Sequence, residues 1–334
     1  MKIAFVEPHL ELYGGIRRIL ELSNRLIRLG EQVAIYHPTG KPCSWMENRA
    51  AARPLSDLFG TAHDVVIFNN PPDYRPVRKA AAGLKVFYIL GLYNKNKLKR
   101  FNPKIFWPIK GRMMSLKRAL QLPFLKISNS TWMQRYLREE LSISSELVIG
   151  GVNREVFYPV DTGREPGVFR ILCSGDPREF KGTKTVNDAV NMVRSEYPDI
   201  VLNVYHGQNI PQSDMAAVYS SADLFLDGTW DTGSGWNNPV VEAMACRVPV
   251  VCTDIGGVAD FAFDGDTALL VPPGDAAAMA ESIRRLRRSE QLREELAGRA
   301  YRKVQEFDWD VSARRLRELL TSYLAQGCST DGFF

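Results

Sequence analysis

A single glutamate, Glu242, stands just inside a short helical segment of the sequence "SGWNNPVVEAMAC" (234–246). Asn238 suits the N-cap of a helix, and Pro239 suits the first helical position. Glu242 then lies about one turn into the helix, close to its positive end. A carboxylate in this position can accept two hydrogen bonds from a vicinal diol such as that of a ribose. The segment therefore predicts a binding site for a hydroxylated ligand.

Two cations precede another helix, in the segment "ILCSGDPREFKGTKT" (171–185). Arg178 and Lys181 lie in a loop, and Gly182 opens the helix that follows. Cations beside a helix N-terminus favour a diphosphate, because charge and helix dipole act together. Asp176 would repel a phosphate unless one of the cations pairs with it. An ordinary solvated loop stays open as the alternative.

Paired glycines, Gly14 and Gly15, follow the first apolar run. They allow close approach of the backbone to a phosphate, or they serve a tight turn that needs glycine dihedrals. The loop lacks the spacing G-x-G-x-x-G, so a nicotinamide dinucleotide is a poor candidate. Small residues at 233–235 likewise leave backbone N–H groups available to a sugar or phosphate.

The elements that carry these residues alternate between apolar strands and amphipathic helices, which predicts parallel sheets with crossover helices. This α/β pattern runs twice, with a polar linker near residues 158–167. We expect a first Rossmann-like domain over 1–162, a second over 166–306, and a terminal helix over 307–326 that crosses back to the first domain. Two doubly wound domains facing each other would place ligands at the carboxyl ends of their strands.

The charge of the chain is uneven, although the net value is only +5. No acidic residue lies between Asp73 and Glu139, and the basic block 74–138 holds sixteen Lys and Arg. Such asymmetry predicts an anionic partner. Interleaved aromatic residues favour an anionic membrane surface over nucleic acid, and a solvated helix pair is the plain alternative. The residues expected to contact the membrane or an acceptor are Lys97, Lys99, Arg100, Lys104, Phe106 and Trp107.

The five cysteines are scattered and have no zinc-finger or redox spacing, which predicts a reduced, cytoplasmic protein. We expect no signal peptide and no membrane span. The "DGD" at 264–266 sits in a turn away from a strand end, so no metal site is expected there.

Several segments together resemble glycosyltransferase family 4, whose members have the GT-B fold. The segment "NNPVVEAMACRVPVVCTDIGGVADF…DGDTALLVPPGD" is similar to the sugar-nucleotide half of that family. "GGIRRILELSNRLIRLG", "ISNSTWMQRYL", "VIGGVNREVFYP" and "FDWDVSARRLRELL" resemble its first helix, the approach to its linker and its terminal helix. The resemblance covers most of the chain and is most specific in the C-terminal half.

The resemblance implies a role for each matching residue. Glu242 would bind the ribose, Lys181 the donor diphosphate, and Gly15 a phosphate from the first domain. Arg178, Lys181 and Glu242 form the expected catalytic set. The expected donor-binding set is Gly14, Gly15, Ser234, Gly235, Trp236, Asn237, Asn238, Val241 and Glu242.

The chain departs from the family pattern at four places. Ser234 stands where a first motif glutamate usually contacts the donor sugar, and Asp176 stands where an arginine is common, which leaves Arg178 as its substitute. Arg247 replaces the usual glycine after "AMAC". No histidine occurs in "IFNNPP" or "YILGLYN", where family members often place a catalytic-site histidine.

The implied activity is transfer of a sugar, with retention, from a nucleotide-sugar donor to a glycan or lipid-linked acceptor in cell-surface polysaccharide or glycolipid biosynthesis. Cations and helix N-termini would stabilise the charge on the leaving diphosphate, so neither cofactor nor metal is expected. The protein would act in the cytoplasm or peripherally on the cytoplasmic membrane face. The alternatives are a nucleotide-sugar epimerase of the same fold and a non-catalytic sugar-nucleotide-binding partner.

Overall fold

The computed structural model describes residues 1–92, 103–163, 166–230, 233 and 235–327, with the backbone alone over 103–109. The chain divides into two compact units: unit 1 is Met1–Gly151 with Trp309–Phe334, and unit 2 is Val152–Asp308. The segment 152–162, which we expected in the first domain, thus belongs to unit 2. The terminal segment belongs to unit 1, beginning at Trp309.

Unit 1 is built on a parallel sheet of seven strands in the order β3-β2-β1-β4-β5-β6-β7. The strands are β1 Lys2–Val6, β2 Gln32–His37, β3 Ala51–Pro54, β4 His63–Phe68, β5 Ala82–Ile89, β6 Leu125–Ser128 and β7 Glu146–Leu147. The short edge strand β3 was not predicted, because its sequence "AARP" has little apolar character. The direction of sheet growth reverses between β1 and β4.

Unit 2 is built on a parallel sheet of five strands in the order β12-β11-β10-β8-β9. The strands are β8 Phe169–Cys173, β9 Ile200–Val204, β10 Leu224–Asp227, β11 Val250–Thr253 and β12 Leu269–Val271. Here the direction reverses between β8 and β10. The predicted α/β class, with two doubly wound sheets, is confirmed.

Helices connect and cover these strands. They are α1 Gly14–Arg28, α2 Tyr74–Lys79, α3 Pro103–Gln121, α4 Thr131–Leu141, α5 Thr183–Arg194, α6 Met215–Ser220, α7 Asn238–Ala245, α8 Ala276–Arg288, α9 Glu290–Val304 and α10 Trp309–Ala325. No helix in the described part of the chain is long and apolar enough to cross a bilayer.

Side chains along β1, a central strand of unit 1, alternate between the hydrophobic clusters on the two faces of the sheet. Ile3 and Phe5 point to the cluster that includes α1 and α10, whereas Ala4 and Val6 point to the opposite cluster beneath α3 and α4. Successive side chains of a strand face opposite sides of the sheet, and a parallel sheet covered on both sides buries both sets. The uninterrupted apolar run "IAFV" is therefore what a central strand of this kind requires.

The terminal helix α10 is held to unit 1 by a buried cation. The guanidinium of Arg18 lies 5.6 Å from the ring centroid of Tyr88 and 5.2 Å from that of Trp309, and it donates a 2.9 Å hydrogen bond to the Tyr88 hydroxyl. Tyr88 in turn donates to the carbonyl of Val148. Because Arg18 is only 2% exposed, these contacts replace its lost hydration.

The basic block contributes one long helix, α3, in the described residues. Its Leu116 and Ala119 are buried in unit 1, while Met114 is 66% exposed and Lys117 and Arg118 face solvent. The predicted contact residues Lys97, Lys99 and Arg100 lie outside the described residues. For Lys104, Phe106 and Trp107 the structure describes only helical backbone.

Candidate functional site

The carboxyl ends of β8 and β10 meet where the strand order of unit 2 reverses, the place where open α/β sheets bind ligands. Gly182, at the start of α5, has φ +66° and lies against Gly228, which follows β10. A Cβ added to Gly182 would lie 1.8 Å from the Gly228 carbonyl oxygen. Only glycine satisfies both the dihedral and the contact, so the loop carrying the cations rests directly on the end of β10.

The loop between β8 and α5 carries an ion pair at its centre. Arg178 Nε donates to both carboxylate oxygens of Asp176 at 3.0 Å, and the Arg178 backbone N–H donates to Asp176 at 2.9 Å. Burial acts to raise the pKa of Asp176, but these hydrogen bonds and the charges of Arg178 and Lys181 hold that pKa below its usual value. Asp176 is thus ionised, and its charge is balanced by Arg178 within the loop.

This pairing changes the roles that we expected for the two cations of the loop. Arg178 was predicted to act on the diphosphate, whereas its guanidinium is engaged by Asp176. Lys181 is partly exposed and makes no ion pair within the residues that the structure describes. Its ammonium lies 5.8 Å from the ring centroid of Phe180. With Glu179 also in the loop, its formal charges sum to zero, and Lys181 is the cation that no ion pair engages among the described residues.

A second group of polar side chains gathers at the end of β10. Asp227, 4% exposed, accepts hydrogen bonds from the Thr229 backbone N–H at 3.1 Å and from Asn237 Nδ2 at 3.0 Å. The hydroxyl of Thr253, at the end of β11, donates to the Thr229 carbonyl. Thr229 Oγ1 and Asn237 Oδ1 are buried and have no partner in the described part of the chain. Such orphaned atoms are rare unless water or a ligand completes them.

Glu242 lies on α7, which begins at Asn238 with Asn237 as its N-cap, one residue before the predicted cap. The Asn237 side chain does not cap the helix, because its amide is turned to Asp227. Glu242 is 5% exposed, and its Oε2 accepts a 3.0 Å hydrogen bond from the Tyr219 hydroxyl. Tyr219 also shares a 3.1 Å hydrogen bond with the Tyr205 hydroxyl. The carboxylate is thus held in one orientation by a tyrosine pair.

Other residues of the predicted donor-binding set have different surroundings. Val241 is fully buried on α7, and Trp236 packs against Phe261 and Phe307 with ring centroids 4.9 and 5.3 Å away. These two side chains belong to the packed interior of unit 2. Gly235 is buried and Asn238 is partly exposed, while Ser234 lies outside the described residues.

Gly14 and Gly15 open helix α1 in unit 1. Neither has a positive φ, so the alternative of a turn that needs glycine dihedrals does not apply. The helix start has no side-chain cap and no acidic residue in its first turn. An uncapped N-terminus with small residues can approach an anion.

Sequence reasoning missed Tyr219, Asp227 and Thr229. Asp227 had a signal, since it ends a predicted strand and strand ends carry ligand sites in this class. Tyr219 had none, because nothing in the sequence relates it to Glu242. The "DGD" turn is engaged locally: Asp264 accepts from the Leu270 N–H at 2.9 Å, and Asp266 pairs with Arg299 at 3.0 Å. Among the described residues no cluster of three or more metal-ligating side chains occurs.

Comparison with known proteins bears on both units. Residues 202–289, which include Tyr219, Asp227 and Glu242, match the family model "Glycosyl transferases group 1". The phosphatidyl-myo-inositol mannosyltransferase of Mycobacterium leprae is 29% identical over 40% of this chain and 36% of its own length. The chain thus matches well under two thirds of this relative.

Two solved structures match almost the whole chain. Sucrose-phosphate synthase from Thermosynechococcus elongatus superposes with a TM-score of 0.75 at 19% identity, covering 97% of this chain and 99% of that one. Anabaena HepE in complex with UDP-glucose superposes with a TM-score of 0.70 at 16% identity, covering 96% of this chain and 100% of that one. The chain therefore has the GT-B fold, and residues 202–289 of its second unit are similar to the glycosyltransferases of group 1.

Proposed function

We propose that this protein transfers a sugar, with retention, from a nucleotide-sugar donor to a hydroxyl group of a glycan or lipid-linked acceptor. The observation that carries this proposal is that two features occur in the same region of unit 2. The region that matches the group 1 glycosyltransferases contains Glu242 and the polar end of β10, and β10 borders the strand-order reversal where this sheet class binds ligands.

The donor would bind in three parts. The Glu242 carboxylate accepts hydrogen bonds from the ribose hydroxyls, held in place by Tyr219. Lys181 and the start of α5 receive the diphosphate. The unpartnered oxygens of Thr229 and Asn237 are suited to accept from sugar hydroxyls, which offers polar contacts to the sugar in a chain that has Ser234 instead of the family's glutamate.

Charge develops on the diphosphate as the glycosidic bond breaks. Lys181 stabilises that charge directly, and Arg178 keeps Asp176 from opposing it. These contacts are stronger in the transition state than in the ground state, which is the requirement for catalysis. No metal is needed in this scheme.

The acceptor class is suggested by the M. leprae relative, whose name is phosphatidyl-myo-inositol mannosyltransferase. A lipid-linked or glycan acceptor of cell-surface biosynthesis is in keeping with it.

The test replaces Glu242 by Gln and titrates the full chain with UDP-glucose, the ligand named for HepE, by calorimetry. Gln keeps one acceptor oxygen but neither the second nor the charge; loss of a hydrogen bond to a charged partner costs about 1.5–3 kcal/mol, so affinity should fall at least about tenfold. Glu281→Gln, an exposed site on α8, is the matched control and should bind as the unaltered protein does.

Unchanged affinity in Glu242→Gln would show that the ribose assignment is wrong. A strict need for added divalent metal would overturn the metal-free scheme. Epimerised product from the donor alone would favour the epimerase, and binding without transfer to any acceptor would favour a non-catalytic partner.

We further propose that the basic block touches an anionic membrane surface on the cytoplasmic face. The exposed side of α3 offers Lys117, Arg118 and Met114 with no acidic neighbour on the helix. Each Lys or Arg near an anionic bilayer contributes about 1 kcal/mol, falling as salt screens it. Reversal to Glu at Lys97, Lys99, Arg100 and Lys104 should abolish sedimentation with anionic vesicles and spare UDP-glucose binding.

The control for that experiment is an equal charge reversal on unit 2, at Lys184, Arg194, Arg285 and Arg288. It changes net charge by the same amount without touching the basic block, and vesicle binding should persist. Equal binding of the unaltered protein to anionic and zwitterionic vesicles would refute the membrane proposal.

A further inference from the structure

Each of the two sheets has two edge strands, and three of these four edges are protected against pairing with another chain. In unit 1, β3 carries Arg53 and Pro54, and β7 is only two residues long. In unit 2, the Asp264 carboxylate accepts a 2.9 Å hydrogen bond from the Leu270 N–H of β12. Charged side chains, proline, a short strand and covered edge groups are the usual protections of a sheet edge.

The fourth edge, β9 in unit 2, has none of these protections. Its sequence "IVLNV" contains no charged residue, proline or glycine, and it pairs with β8 over five residues without a bulge. Val201 and Val204 are 41% and 38% exposed. An uncharged, unprotected edge of this kind can pair with a strand of another chain.

Backbone groups along β9 alternate between its two edges. The Phe169 N–H of β8 donates to the Asp199 carbonyl at 3.0 Å. In the evenly spaced ladder of a parallel pair, every second residue of a strand bonds to the same neighbour. Val201 and Asn203 therefore bond to β8, and the outer edge carries the backbone groups of the remaining residues of the strand, Ile200, Leu202 and Val204.

Two of the backbone groups on this outer edge are occupied. The Ile200 N–H donates to the Tyr197 carbonyl at 3.2 Å, and the Val204 carbonyl accepts a hydrogen bond from the Gln208 side chain. The others have no partner among the residues that the structure describes: the N–H groups of Leu202 and Val204 and the carbonyls of Ile200 and Leu202.

These unpaired groups complement each other when a second copy of β9 is placed antiparallel across a two-fold axis at Leu202. Directly opposite residues of an antiparallel pair exchange N–H and carbonyl hydrogen bonds at every second position. Leu202 then donates to Leu202 of the second copy and accepts from it, and the Val204 N–H of each copy meets the Ile200 carbonyl of the other. Every unpaired group gains a partner, while the two occupied groups lie opposite each other and need none.

The side chains and the flanking charges fit the same arrangement. Val201 lies opposite Asn203 of the second copy, so no like charges meet within the strand. The acidic residues that precede β9, Glu196 and Asp199, face segment 205–209 of the second copy, which has no acidic residue. A strand added in the parallel sense would instead bring the acidic flanks of the two copies together.

We propose that two copies of this chain associate through β9, antiparallel about a two-fold axis at Leu202, so that their five-stranded sheets become continuous. A second copy is the partner because the unpaired donors and acceptors of β9 match those of the same strand turned by half a circle. A two-fold interface uses the same surface on both copies and closes at a dimer. The interface involves only unit 2 and does not depend on the proposed glycosyl transfer.

The experiment measures the mass of the full chain by sedimentation equilibrium over a range of concentrations, and a dimer should form as concentration rises. Val201→Lys with Asn203→Lys places like charges opposite each other at exposed positions of both strands, so the dissociation constant of the dimer should rise at least about tenfold. Ala277→Lys with Gln291→Lys adds the same charge at exposed sites on α8 and α9 and should leave the dimer unchanged.

An exchange of charges tests the pairing itself. Val201→Asp with Asn203→Asp should weaken the dimer as the Lys variant does. An equal mixture of the Lys and Asp chains should recover it, because each introduced Lys then lies opposite an introduced Asp. In the unaltered protein, deuterium exchange at the Leu202 and Val204 N–H groups should slow as concentration rises, while exchange in the protected edge strand Ala51–Pro54 should stay constant.

A single chain at every concentration would overturn the inference. A dimer that persists in Val201→Lys with Asn203→Lys, at a melting temperature equal to that of the control variant, would show that another surface joins the copies. Lys and Asp chains that are monomeric alone and stay monomeric when mixed would overturn the antiparallel pairing.

Discussion

Gly182→Ala tests whether backbone contact between the cation loop and the end of β10 builds the site in unit 2. An added Cβ would lie 1.8 Å from the Gly228 carbonyl oxygen and 2.4 Å from its carbonyl carbon, both backbone atoms that cannot rotate away. The residue also has φ +66°. A non-glycine residue in this region costs about 1–2 kcal/mol, and forced overpacking costs about 1–3 kcal/mol more. We expect a total loss of about 2–5 kcal/mol in the free energy of unfolding.

Gly274→Ala is the matched control in the same unit. Gly274 has φ +82°, but an added Cβ there meets nothing within 4 Å, so it carries the dihedral cost alone, about 1–2 kcal/mol. Urea unfolding of both variants at one temperature measures the difference, which is the steric cost. Equal losses in the two variants would refute the close approach of Gly182 to Gly228.

The same pair of variants links packing to binding. Relief of the clash must move the loop that carries Arg178 and Lys181 away from β10. UDP-glucose affinity should therefore fall in Gly182→Ala and stay unchanged in Gly274→Ala. A Gly182→Ala protein that binds UDP-glucose normally would show that the position of the loop is irrelevant to the donor.

Two further predictions concern unit 1. Burial works to raise the pKa of Glu31, but hydrogen bonds from the N-terminal ammonium and Arg317 hold it below its usual value. The ionised carboxylate therefore stabilises the fold above the ordinary carboxyl pKa, and this stabilisation is lost as pH falls. Between pH 7 and pH 4 the urea midpoint should drop less in Glu31→Gln than in the unaltered protein. Equal drops in the two proteins would exclude this role. Arg18→Met should lose about 1.5–3 kcal/mol of unfolding free energy, against about 0.5–1 kcal/mol for Arg17→Met, whose guanidinium lies 5.8 Å from the Trp45 ring centroid. Equal losses in urea unfolding would contradict a special role for the buried cation.

Local pattern was sufficient for the class of fold and for one part of the site. The apolar run in β1 is typical of a strand covered on both faces, because each successive side chain must be buried in a core. The asparagines and proline before Glu242 predicted a helix start, and α7 begins within one residue of that prediction. The strand and the helix start each depend on residues that lie a few positions apart in the chain, so their pattern can be read directly from the sequence.

Contacts between strand ends depended on the tertiary structure. Tyr219 lies 23 residues before the glutamate that it orients, and Asn69, which donates a hydrogen bond to Glu7, lies 62 residues after it. The order of strands in each sheet decides which of these ends become neighbours, and that order follows from how whole helices pack on the sheet. Even the nearby pair of Asp176 and Arg178 was open in the sequence, because a flexible cation can face a carboxylate or a ligand. Only the folded loop, closed by Gly182 against Gly228, selects the carboxylate.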